Sequence, residues 1–364
     1  DVYKRQDIHD CLSGLNPETS LILVASKSWN TLETLENASI AKNWLVNKLG
    51  AQAVAKHFVA LCAAPQKALD FGVAPSQIFC FWPWVGGRYS VWSSVGLSVM
   101  LAIGVENFHQ FLAGAHHMDK HFLQAEFSSN IPVILGLLDY YCRVICGFPA
   151  RAVLPYAQRL SELPNYLQQL YMESNGKTIC IDGQPSLVPT CSIIFGGVGT
   201  NAQHAFFQFL HQGCAIVPAE FIIFVQAHEK GGEIQQKWLI ANALAQAEAL
   251  LEGRSLSVAQ KELLLHPHQD TTQAEALARH QVFPGNRPSV VIMDKKLTPF
   301  ALGRLLALYE HRVFVEACLM RINPFDQFGV ILGKNLAQKN FAALSKNFKQ
   351  KDENPLLNYL RMYL

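Results

Sequence analysis

A chain of 364 residues, 50% hydrophobic and 16% charged, is long enough for two folded units with cores of their own. Its formal net charge of +2 argues against a nucleic-acid partner or an anionic membrane surface, so any anion site must come from local placement. Nine cysteines (Cys11, Cys62, Cys80, Cys142, Cys146, Cys180, Cys191, Cys214 and Cys318) are scattered and odd in number, as expected of reduced thiols in a cytoplasmic protein.

The first residues, DVYKRQDIHD, carry neither an initiator Met nor an apolar signal segment. Thr19 to Ser26 (TSLILVAS) predicts a strand, and the pattern from Thr31 to about Leu49 predicts a helix. Asn30, with Glu33 three residues on, reads as its capping box. AKHFVALCA and SQIFCFW supply further strands, and strands alternating with helices predict parallel α/β architecture. Gly86 and Gly87 then open a long segment; Tyr89 to Val105 falls short of the roughly 20 clean apolar residues of a membrane span and reads as a buried helix. From about Val105 to Gly147 the pattern is helical throughout. Cys142 and Cys146 sit one helical turn apart, but no second ligand pair accompanies them, so they read as core packing.

A second α/β region follows: a helix from Leu154 to Glu173, a strand CSIIF, a helix from Asn201, a strand IVPAEFIIFV and a helix from about Ile234 to Gly253. His266 to His280 reads as a loop, SVVIMD (Ser289 to Asp294) as a buried strand. A long helix from Thr298 and a helical arm from Asp326 close the chain.

Polar clusters fall at the junctions of these elements. Ser26, Lys27, Ser28 and Thr31 follow a strand and open a helix, which suits a phosphate monoester; ordinary capping by the same hydroxyls is the alternative. Arg88 borders an apolar stretch and needs a partner, either a structural ion pair or a developing oxyanion. In MESNGK, Asn175 and Gly176 stop a helix, leaving Glu173 at the end whose dipole disfavours a carboxylate, a setting for a general base or for a solvated surface acid. Gln169 lies one turn earlier on the same face. GGVGTNAQH reads as a glycine loop entering a helix, an anion cradle with His204 beside it; it does not match GxGxxG, and a dinucleotide site is disfavoured. Gln327 and Lys334 are seven residues apart and are expected on one face of a helix.

VASKSWNTLET, FWPWVGGRYSVWSSVG, GAHHMDKHF, MESNGK, GTNAQHAF, GNRP, LYEH and FDQFGVILGK, in this order, resemble the glucose-6-phosphate isomerase (phosphoglucose isomerase) family, from about Leu15 to the C-terminal arm. The resemblance implies two sugar-isomerase (SIS-type) three-layer α/β/α domains with parallel sheets and a helical C-terminal arm, the first domain truncated: residues 1–104 its remainder, 105–129 a helical connection, 130–322 the second domain and 323–364 the arm. It implies interconversion of glucose 6-phosphate and fructose 6-phosphate through ring opening and a cis-enediol, in a cytoplasmic homodimer without a metal or organic cofactor. Ser26, Lys27, Ser28 and Thr31 match the family's phosphate loop, Glu173 the base between C1 and C2, and Arg88 the group that stabilises the enediolate. His204 matches a ring-opening histidine given by the neighbouring subunit, Lys334 and Gln327 match sugar and phosphate contacts with Lys334 also in ring opening, and Gln169 matches a further active-site side chain. Departures from the family pattern fall at Pro83, Gly197, Val198, Pro284 and Ile331, and the family's Gly-Ser phosphate loop is expected upstream of this sequence. A sugar-phosphate sensor on the same domains, or an inactive fragment of the isomerase, are the alternatives.

Overall fold

The computed structural model describes residues 5–264, 271–344, 354–360 and 363. Two parallel sheets organise it. In the first, β1 (Ile22–Ala25), β2 (Phe58–Cys62) and β3 (Ile78–Cys80) pair in that order. FVALC in β2 is apolar throughout because both its faces are covered and every residue is buried. Helix α1 (Leu32–Leu49) lays Ala38, Ala41 and Leu45 on that sheet, a three-to-four-residue spacing that keeps them on one face. Its N-cap is Thr31, not Asn30, and no side chain caps it. Trp29 is the reason: it is buried at φ +50°, which carries the turn one residue further, and Asn30 Oδ1 instead accepts from Lys67 Nζ.

The long buried helix expected after Gly87 does not form. The chain makes 3₁₀ turns at Gly87–Trp92 and Ser94–Gly96, then a helix at Leu97–Ile103 in which Leu101 is 58% exposed. Serines break the pattern by bonding their own backbone: Ser90 Oγ donates to Gly87 O and Ser93 Oγ to Ser90 O, both at 2.6 Å. The helical stretch beyond Val105 is likewise divided, into α2 (Val105–Gln124) and α3 (Ile131–Tyr140). Asn130 caps α3 and Pro132 stands in its first turn, so the second helix starts afresh. A wider π-helical turn, Tyr141–Ile145, follows, and Cys146 beyond it is exposed rather than packed in the core.

The second sheet has the order β5-β4-β6-β7, all parallel, with β4 (Ala150–Pro155), β5 (Ile193–Gly196), β6 (Ala219–Phe224) and β7 (Ser289–Asp294). β4 falls where the sequence predicts the start of a helix. A run this short, buried on both faces, has no alternation to betray it, and α4 (Leu163–Gln168) begins only later. β7 is an edge strand, and Met293 on it is 57% exposed, so it is half open rather than buried. Thr271–His280 is helical where a loop is expected; His266 and His268 lie outside the described residues. The remaining long helices are α5 (Glu233–Glu252), α6 (Pro299–Leu319) and α7 (Gly329–Leu344). Among the described residues, no helix is long and apolar enough to cross a membrane.

α6 is the hub. It crosses α2 at backbone contact: a Cβ on Gly114 would stand 1.9 Å from Phe300 O, and one on Gly303 1.9 Å from Phe111 O. Beneath it lies a buried network of Asp139, Arg143, Arg151, Glu220, Arg312 and Glu316, three cations against three carboxylates. Arg312 forks onto Asp139, with Nη2 to Oδ1 at 2.8 Å, and also reaches Glu220, to which Tyr309 donates its hydroxyl. Burial alone would raise the Asp139 carboxyl, but Arg151 and Arg312 outweigh it and hold the group well below the usual carboxylate range. These bonds tie β4, β6, α3 and α6 together.

Candidate active site

The site is built where α4 ends. The helix widens into a π-helical turn, Gln169–Glu173, and is pinned beyond it by Asn175, whose Nδ2 donates to Val313 O of α6 at 3.2 Å. Ser174 and Asn175 have no exposed surface. Gln169 Nε2 donates to Glu173 Oε2 at 3.1 Å, so these two side chains meet. Lys177 was not marked as a site residue by its sequence, yet its Nζ donates to Glu173 O at 2.6 Å and Ser174 O at 2.8 Å. It therefore caps the carbonyls whose dipole would act on Glu173, at a position that an Asn-Gly stop followed by a lysine could have signalled. Burial lowers the pKa of that ammonium, against the pull of Asp326 at 3.5 Å.

Arg88 comes to this turn from the 3₁₀ segment Gly87–Trp92 and is 5% exposed. Nε donates to Ser174 Oγ at 2.6 Å, Nη1 to Gln327 Oε1 at 3.2 Å, and Nη2 to Pro324 O and to Asp326 O at 2.9 Å. Nη1 is also 3.4 Å from Glu173 Oε2. Every N–H of the guanidinium thus faces a protein acceptor. The structural ion pair and the oxyanion reading are not exclusive, because only Nη1 looks toward Glu173. Tyr89 shares Ser174 Oγ at 2.8 Å, a neighbour that sequence reasoning missed because only the tertiary fold brings it there.

Two clefts open along the start of α7, and Val330 lines both. One, of about 540 Å³, is lined by Glu173, Lys177, Asp326 and Gln327 among others. The other, of about 470 Å³, is lined by Ser28, Thr31, Gly333 and Lys334 among others. Gln327 and Lys334 do not share a helix face as expected, since α7 begins at Gly329 and Gln327 sits in the turn before it. Of the first loop, Ser28 and Thr31 reach the second cleft, while buried Ser26 lies beneath and donates to Thr31 Oγ1 at 3.4 Å. Lys27 is exposed and lines neither cleft. Lys67, absent from the sequence reading, donates to Ser28 O at 3.2 Å and adds a cation to the loop.

His204 is not with the others. It ends a 3₁₀ turn, Asn201–His204, in place of the expected helix start, and its exposed side chain lines neither cleft. The glycines before it serve close packing rather than anion binding: a Cβ on Gly196 would stand 1.9 Å from Val153 O, and one on Gly199 2.4 Å from the Tyr156 ring. The six-residue helix that follows, Phe207–Gln212, starts beyond the histidine. Of the departures, Pro83, Pro284 and Ile331 are exposed, and a Cβ on Gly197 would make an ordinary 3.5 Å contact with Ala202.

The family model of phosphoglucose isomerase matches residues 3–360. A glucose-6-phosphate isomerase of Chelativorans sp. (strain BNC1) is 55% identical over 330 residues, which cover 91% of this chain and 60% of that protein. One from Bartonella henselae is 52% identical over 332 residues, with 91% and 59% covered. The chain thus spans about three fifths of the length of these curated relatives. The crystal structure of a glucose-6-phosphate isomerase from Chlamydia trachomatis superposes with a TM-score of 0.81 at 34% identity, covering 99% of this chain and 65% of that one. A hypothetical protein from Thermus thermophilus follows at 0.70 and 26%, with 94% and 76% covered. The match runs almost from end to end and includes both parallel sheets and the arm that Arg88 holds, so this chain belongs to the phosphoglucose isomerase family.

Proposed function

We propose that this chain carries an aldose–ketose isomerase site that interconverts glucose 6-phosphate and fructose 6-phosphate. The observation that supports it most is the approach of Arg88 Nη1 to Glu173 Oε2, 3.4 Å apart, beside a cleft that shares Val330 with the one Lys334 lines. Moving a proton between C2 and C1 needs one base near both carbons, and of the two carboxylates lining that cleft Glu173 is the one beside Arg88, whereas Asp326 pairs with Lys177. The enediolate oxygen formed midway needs a fixed cation, which Arg88 supplies without reorganisation because its other N–H groups are already held. Ser28, Thr31 and Lys334 would anchor the phosphate at the far end, with Ser26 and Lys27 completing the loop, so that the sugar lies along Gln327 toward Glu173 and Gln169.

Ring opening needs an acid at the ring oxygen. Lys334 serves that step from within the chain, and His204 serves it from a second copy: its exposed imidazole lies away from both clefts of its own chain. The active species we propose is therefore a homodimer in the cytoplasm. The test is fructose 6-phosphate formation from glucose 6-phosphate, with chelator present, by the wild type and by Glu173→Gln. The wild type should turn over and the variant should bind substrate but not convert it. Equal rates would remove Glu173 from the role given to it.

A further inference from the structure

The LYEH motif contributes a buried acid that the proposed chemistry leaves unused. Glu310 projects from α6 into a pocket of aromatic side chains and lines neither cleft. Both of its oxygens accept from Trp92 Nε1, at 3.0 and 2.8 Å, and Tyr166 OH donates to Oε1 at 3.5 Å. The two donors come from the two elements that matter. Trp92 ends the 3₁₀ segment that carries Arg88, and Tyr166 stands in α4, whose π-helical turn carries Gln169 and Glu173.

We propose that Glu310 is a positioning residue that sets the Arg88 guanidinium against Glu173. One carboxylate bonds both elements, so their relative placement depends on it. The indole has little freedom to follow another partner, since it stacks on Phe111 at 4.8 Å and 20°. A second stitch, nearer the site, runs from Arg88 Nε and Tyr89 OH to Ser174 Oγ. Glu310 holds the outer end of the same two elements; together the stitches leave the pair a single geometry.

The use of a carboxylate fits this role. An apolar side chain would leave the indole N–H and the phenol unpaired, whereas an ionised acid accepts from both. Burial pushes the Glu310 carboxyl up to about 7, with Asp119 adding to the rise while Trp92 and Tyr166 pull it back. Asp119 is itself held by His311 at 2.7 Å. Once protonated, Glu310 still has a carbonyl oxygen to accept with, but it loses the negative charge that strengthens both bonds. The positioning therefore weakens as pH falls through neutrality.

The inference rests on the isomerase reading, and its test separates the two. In the wild type, kcat should fall on the acid side with a midpoint near the 7 given above. Glu310→Gln should lose that limb and show kcat lowered about 10- to 100-fold, the range expected of a misplaced reacting group, with KM within about 2-fold. Trp92→Phe should reproduce the kcat loss. Wild-type kcat with an unchanged acid limb in Glu310→Gln overturns the proposal. A second readout needs no turnover: the ¹⁵Nε–H resonance of Arg88, assigned by its loss in Arg88→Lys. It should titrate with the same midpoint in the wild type and stay still in Glu310→Gln. If the wild type fails to turn over, the isomerase reading falls, and a resonance insensitive to Glu310 overturns the positioning role on its own.

Discussion

Arg88→Lys keeps a positive charge beside Glu173 and removes the fork that holds the arm. Three of the guanidinium's bonds, to Pro324 O, Asp326 O and Gln327 Oε1, fasten the turn that precedes α7. A lysine has three donors on one atom and keeps about one of them. Hydrogen bonds from a charged donor contribute about 1.5–3 kcal/mol each, and the carbonyls regain water as the arm lifts. Lys177 Nζ still holds Asp326 O at 3.0 Å, so the loss falls below the simple sum. We expect local opening of the arm to become easier by about 3 kcal/mol, roughly 100-fold in its equilibrium constant. Hydrogen–deuterium exchange reads this directly: amides around 324–334 should exchange about 100-fold faster, with β6 unchanged as the internal standard. Arm protection within about 3-fold of wild type would refute the reasoning.

Gly114→Ala places a methyl group where Phe300 O already stands, 1.9 Å away, and should force α2 and α6 apart. Overpacking of this kind costs about 1–3 kcal/mol, read as a lower urea midpoint, while an exposed control within α7, Gly333→Ala, whose Cβ would meet nothing within 4 Å, should not lower the midpoint. Glu310 makes a pH prediction for stability as well. Its folded pKa is raised, from 4.5 to about 7, so the folded chain binds more protons than the unfolded one in that window. The contribution is present in full below the unfolded value and is lost as pH rises through the folded one, about 3 kcal/mol in all. Urea midpoints compared between Glu310→Gln and wild type should therefore diverge across this window, and parallel curves would contradict the assignment.

Most of the strands, though not their order in the sheets, could be read from the chain, because ILVA, FVALC and the largely apolar AEFIIF are short runs bounded by turn signals. β4 escaped for a physical reason: Arg151 interrupts its apolar run, and the carboxylates that make a buried arginine tolerable, Asp139 on α3 and Glu316 on α6, belong to other elements that only the fold brings to it. The same blindness covers Arg143 and Arg312, which look like surface residues until their partners are known. At the site, the motif around Glu173 marks the carboxylate and its helix stop, while Ser174, Lys177 and Tyr89 act only through contacts that the fold creates. The serine-rich stretch after Gly87 resembles a buried helix by composition, and hydroxyl bonding to the local backbone overrides that resemblance. His204 is the opposite case, a residue marked by its motif whose own fold gives it no neighbour in either cleft.

The central claim is that Glu173 carries a proton between adjacent carbons of a sugar phosphate. It is tested most directly by incubating the chain with glucose 6-phosphate in D₂O and following deuterium at C2 by NMR. The account predicts solvent deuterium at C2 of the aldose and at C1 of the ketose formed, with both rates lowered about 10²- to 10⁴-fold in Glu173→Gln while binding persists. Binding by the wild type without any exchange, the behaviour of a sugar-phosphate sensor, would contradict it, as would exchange at the wild-type rate in Glu173→Gln.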